Sequence, residues 1–109
     1  MRVDAHRLAE LRSLAYHREV ARRLHEQPEL LERARLQAQR GLQDPHAAPY
    51  FQRWESLLAG PLDALVHSMT TDDDESRALR QCTPFAGALP PRERWELWRS
   101  VRADWAGTS

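Results

Sequence analysis

Seven prolines cut this chain at positions 28, 45, 49, 61, 84, 90 and 91. A proline has no amide hydrogen and crowds the turn before it, so helices start or stop at these points and central strands avoid them. Between the prolines, apolar residues recur three and four apart, the spacing of one face of a helix. Strand-like alternation is missing: residues 4 to 100 hold two valines and no isoleucine. These features predict an all-α fold. We expect one domain over residues 1–109, a small irregular bundle of five or six helices joined by short Pro-marked turns, with two longer helices ahead of shorter ones.

The first helix is expected from an N-cap at Asp4 to about Glu26, with Leu8, Leu11, Leu14, Ala15 and Ala21 inward. Arg18 falls in the middle of that arc, either snorkelling from its edge or buried against an acid. A second helix starts at Pro28, turns Leu30, Leu31, Ala34 and Ala38 inward and stops at a left-handed Gly41. After a loop over residues 43–49, a third helix gathers Tyr50, Phe51, Trp54, Leu57 and Leu58 into one stripe. Gly60-Pro61 restarts the chain into a short fourth helix lined by Leu62, Leu65, Val66 and Met69. Thr71 and Asp74 stand at capping-box spacing before a fifth helix to about Gln81, which contributes Ala78, Leu79 and Cys82.

The most distinctive stretch is the last. Phe85-Ala86-Gly87 is too short and apolar for a solvated linker and is expected to tuck beneath the helix it feeds. Pro90-Pro91 opens that helix, Glu93 sits at the positive end of its dipole, and Trp95, Trp98 and Trp105 return to nearly one side. Trp54 and Trp95 are expected in the core, and Trp105, near Ala106-Gly107-Thr108-Ser109, partly exposed. Arg94 and Arg102 lie inside the tryptophan arc, each within helical reach of Trp98. A patch of Arg94, Trp98, Arg102 and Trp105 has the composition that dominates protein interfaces.

All sixteen basic residues are arginines and they balance sixteen acids. Arginine binds phosphate and carboxylate bidentately, although GC-rich coding produces the same bias. Residues 1–40 hold nine arginines and six acids, residues 41–80 three and seven, and residues 81–109 four and three. That asymmetry is mild for a nucleic-acid binder. A weak site built on Arg12, Arg18, Arg22 and Arg23 is the alternative expectation. No apolar run approaches the roughly 20 residues of a membrane span, and residues 1–20 lack a secretory signal, so a cytoplasmic protein is expected. The single Cys82 fits a reducing compartment.

Arg12-Ser13-Leu14-Ala15-Tyr16-His17 matches the Arg-x4-His pattern of the HEPN ribonucleases. Relaxing the spacer also matches Arg18 to His25 and Arg40 to His46, so composition alone generates the pattern. The HEPN family also places its motif in the last long helix, whereas Arg12 lies in the first. We therefore expect no catalytic residue, and expect His17→Ala to leave the fold unchanged. No Cys/His spacing suits zinc, and Asp72-Asp73-Asp74-Glu75 lacks the glycine and final glutamate of a calcium loop. No metal or cofactor is expected. Asp63 and His67 are expected to form an outward i,i+4 pair, and Cys82 to be a small buried hydrophobe.

The run Leu79-Arg80-Gln81, Pro84-Phe85-Ala86-Gly87, Leu89 and Glu93-Arg94-Trp95 resembles a segment of small, uncharacterised bacterial all-helical proteins associated with operons of the toxin–antitoxin type. Leu14-Ala15-Tyr16-His17-Arg18 is similar in style. The resemblance covers about a quarter of the chain and implies a small helical partner protein, with no catalytic residue. The leading expectation is a non-enzymatic, antitoxin-like interaction module that binds a protein partner or a second copy of itself through the tryptophan helix. The alternatives are an RNA- or DNA-binding module and a HEPN-like ribonuclease.

Overall fold

The computed structural model describes residues 5–108, and within them there are six helices and no strand. They are α1 (Ala5–Arg23), α2 (Glu29–Gly41), α3 (Ala48–Ala59), α4 (Leu62–Thr70), α5 (Asp74–Gln81) and α6 (Pro91–Thr108). The all-α bundle expected from the sequence is present. None of these helices is long and apolar enough to cross a membrane. The expected cap at Asp4 lies outside the described residues.

α1 is the hub, packing against α4, α5 and α6, while α2 lies on α3 at the edge of the bundle. Its buried residues are Leu14, Tyr16, His17, Val20 and Ala21, a face turned about a third of a turn from the expected one. Arg18 is accordingly exposed, neither buried nor on the stripe, and Leu8, Leu11 and Ala15 are only half-buried. The reason is polar. Tyr16 and His17 enter the core because their polar atoms find partners there. The Tyr16 hydroxyl donates to the Phe85 carbonyl (2.7 Å) and accepts from the Ala88 amide (3.0 Å). The helix ends at Arg23, three residues early, where the Gln27 amide closes a turn onto the Arg23 carbonyl (2.8 Å) ahead of Pro28.

Ala34 and Ala38 are fully buried, so the thin apolar side of α2 serves a close approach to α3. Gly41 is helical, not left-handed; among the described residues only Gly87 has positive φ, at 78°. What position 41 requires is space, since a Cβ there would overlap the Phe51 ring. Trp54 is completely buried and donates Nε1–H to the Leu79 carbonyl (2.9 Å). Tyr50, expected on the same stripe, is exposed. The capping residue of α5 is Asp73, whose side chain accepts the Ser76 amide (2.8 Å). Thr71 instead donates its hydroxyl to the His67 carbonyl, one turn back (2.6 Å).

Phe85 is buried edge-on to Trp54 (5.9 Å between centroids) and to His17 (6.4 Å). Its loop is pinned from α2 by Arg33 on the Gly87 carbonyl (3.2 Å) and Gln37 on the Ala86 carbonyl (2.9 Å). The loop delivers α6 onto α1, the one helix against which α6 packs among the described residues.

Candidate functional site

A helix that touches one neighbour buries a narrow stripe. On α6 that stripe is Glu93, Arg94, Leu97, Trp98, Val101 and Trp105, all half-buried, and no residue with a described side chain is fully buried. Trp95 is just outside it and is 57% exposed, which corrects its expected place in the core. Its ring meets Trp98 edge-on, 5.4 Å between centroids and 71° between planes.

Trp98 organises the cluster. The Arg94 guanidinium, one turn earlier, stands 5.4 Å from its ring centroid, and that of Arg12, from α1, stands 5.7 Å away. Both arginines bury their Nε without a hydrogen-bond partner. That desolvation is partly offset by the attraction of a cation to an indole face. Arg102 is exposed and Trp105 half-buried. Of the expected patch, Arg94 and Trp98 are in contact, Arg102 is on the outer side with Trp95, and Trp105 is two turns beyond Trp98.

The arginines of the alternative nucleic-acid site do not form one surface. Arg12 is on Trp98. Arg22 pairs with Glu19 (2.5 Å), and Arg23 bridges Glu19 and Glu93 (2.9 Å each). The two guanidiniums, Arg22 first, hold the Glu19 carboxyl down at about 2. Of these four arginines, only Arg18 is exposed and outside any ion pair among the described residues.

His17 is 1% exposed. Its Nδ1 donates to the Ser13 carbonyl (2.7 Å), which leaves Nε2 to accept the Thr83 hydroxyl (2.8 Å). Burial pushes its pKa down to about 4, against the Ser13 hydrogen bond and with help from nearby Arg80. It is thus a neutral bridge between α1 and the Thr83–Phe85 corner, while Arg12 serves Trp98. The sequence expectation that His17→Ala is silent is corrected: the change removes a buried link.

Sequence reasoning also missed an ion-pair network between α1 and α5. Arg7 pairs with Asp72 (2.8 Å) and Glu10 (3.2 Å), and Arg77 pairs with Asp72 (2.8 Å). The two guanidiniums hold the Asp72 carboxyl well below the usual carboxylate range. Arg80 is buried and caps α4, donating to the Thr71 carbonyl (2.6 Å). A small cleft of about 120 Å³ opens here, lined by His6, Glu10, Ser13, Arg77, Arg80 and Gln81. Arg7 and Asp72 are 65 residues apart, so only the fold brings them together. His6 is a surface partner of Glu10 (2.9 Å), Asp63 and His67 are both exposed, and Cys82 is half-buried. No group of three His, Cys, Asp or Glu residues stands close enough to hold a metal ion among the described residues.

Comparison of the chain with known protein families, curated proteins and solved structures gives no match. Function is therefore read from the residues themselves.

Proposed function

We propose that this chain is a non-enzymatic, antitoxin-like interaction module whose α6 docks a protein partner, with Trp95 and Trp98 as anchors and Arg94, Arg102 and Trp105 around them. One observation carries the reading: Trp95 leaves more than half its surface in solvent, on a helix supported from one side only. Covering the exposed part, on the order of 100 Å² of mostly apolar surface, is worth about 2.5 kcal/mol. Tryptophan and arginine are the residues that most often carry interface energy. The competing readings have less support. Arg22 and Arg23 are neutralised by acids, and the Arg12 and His17 side chains serve separate structural contacts.

The test is Trp95→Ala beside Leu36→Ala, since Leu36 on α2 is equally exposed, at 56%. Trp95→Ala forfeits little beyond its edge contact with Trp98, so thermal melts should show a loss of about 1 kcal/mol or less. Co-purification from the native host should lose a partner protein with Trp95→Ala and keep it with Leu36→Ala. A Trp95→Ala variant that unfolds, or that retains every partner, contradicts the proposal. So does RNA cleavage by the pure protein that requires both Arg12 and His17.

A further inference from the structure

We infer that the partner surface docked by α6 is acidic, and that it presents discrete carboxylates around an apolar residue seated on Trp95. This rests on the reading of α6 as a protein interface and specifies the partner's chemistry. Arg99 and Arg102 follow Trp95 by four and seven residues, so they share its outer side, and all three are exposed. Arg12 and Arg94 lie over Trp98, next to it. None of these four arginines has a carboxylate partner among the described residues. Of the acids on α6, Glu93 is engaged by Arg23 (2.9 Å) and Glu96 by Arg92 (3.7 Å), and the exposed Asp104 stands about half a turn round the helix from Trp95. In a chain of zero net charge, four uncompensated guanidiniums around two indoles form a local positive field. Arg99 and Arg102, both exposed, can each take a carboxylate in bidentate fashion.

Nucleic acid is also anionic, and two features argue for carboxylates over a phosphate backbone. Single-stranded binders stack successive bases on several open aromatic faces along a basic groove. Here Trp95 is the one largely open indole on α6, because Trp98 is engaged by two guanidiniums and by the edge contact with Trp95. The other edge of α6 offers no free positive charge. Glu19, Arg23, Glu93 and Glu96 line a groove of about 270 Å³ between α1 and α6, and arginines pair its acids. A continuous row of phosphates would find no free guanidinium along this edge, whereas separate carboxylates facing Arg99 and Arg102 need none there.

The experiment is fluorescence anisotropy on the full chain with three labelled probes. They are a synthetic helical peptide with glutamates flanking a central leucine, the same peptide with glutamine for every glutamate, and a uridine oligonucleotide. The glutamate peptide should bind at least about tenfold tighter than the glutamine peptide, and its affinity should fall with added salt. Arg99→Ala combined with Arg102→Ala should remove most of that preference, with the fold intact by circular dichroism because both side chains are exposed. Trp95→Ala should weaken both peptides alike. Equal binding of the two peptides overturns the acidic partner and leaves the interface standing. Tighter binding of the oligonucleotide than of either peptide overturns the interface as well. If no probe binds, the acidic-partner inference fails while the co-purification result still decides the interface.

Discussion

Replacing Trp54 with alanine should remove about 3–5 kcal/mol of stability, a large share of what holds the fold together. The indole is wholly buried between α3 and the Phe85 corner, and its N–H satisfies the Leu79 carbonyl. Truncation leaves a cavity and removes one of the two hydrogen bonds at the Leu79 carbonyl, which keeps the Cys82 amide (3.1 Å), a combined cost of about 3–5 kcal/mol. Domains of this size are stable by only about 5–15 kcal/mol in total. Trp54→Phe keeps most of the volume and loses the hydrogen bond, so it should cost less, about 1–3 kcal/mol. Urea denaturation followed by circular dichroism measures both. A midpoint for Trp54→Ala close to that of the unaltered protein would mean that the core is not built around this residue.

Acidification should destabilise the fold well before its carboxylates titrate. His17 is neutral in the native state with a pKa of about 4, below its unfolded value of 6.5. Between these values the unfolded chain binds the additional proton, so stability rises with pH there. The contribution is fully present above pH 6.5 and is lost progressively as pH falls towards 4. At about 1.4 kcal/mol per tenfold difference in proton affinity, the loss is roughly 3 kcal/mol. Below that range Glu19 and Asp72, whose carboxyls are held down by arginines, add further losses in the same direction. Urea midpoints measured from pH 7 to pH 4 test this. His17→Gln should be less stable at pH 7 and should flatten the slope between pH 6.5 and 4. An unchanged slope in that variant would assign the acid sensitivity elsewhere.

Much of the fold was legible because its punctuation is local. Pro28, Gly60-Pro61 and Pro90-Pro91 marked helix starts to within a residue or two, and the Trp54 stripe marked the face of α3. The α1 face was not legible, because the residues that define it are polar in type. Tyr16 and His17 are buried by hydrogen bonds to Phe85 and Thr83, across gaps of 69 and 66 residues that no periodicity reports. The same holds for the capping of α5, where two acids and a threonine compete and only backbone geometry selects Asp73.

The candidate site was half legible. The spacing of Trp95, Trp98 and Trp105 identified the helix, and the i,i+4 rule placed Arg94 on Trp98. Periodicity tells which residues can share a face and not how many neighbours cover it. Since α1 is the one helix beneath α6 among the described residues, the covered stripe ends before Trp95, which leaves that indole, more than Trp105, in solvent. Arg12 joins it from α1, a contact that no local signal announces.

If a protein partner sits on the surface at Trp95, site-specific photocrosslinking should capture it there. A benzophenone amino acid in place of Trp95, in the full chain expressed in its native host, should form an adduct with a discrete protein on irradiation. The same group in place of Gln52, exposed on α3, should not. An adduct from position 95 to nucleic acid, or to no molecule that position 52 does not also capture, would rule out a protein interface at Trp95.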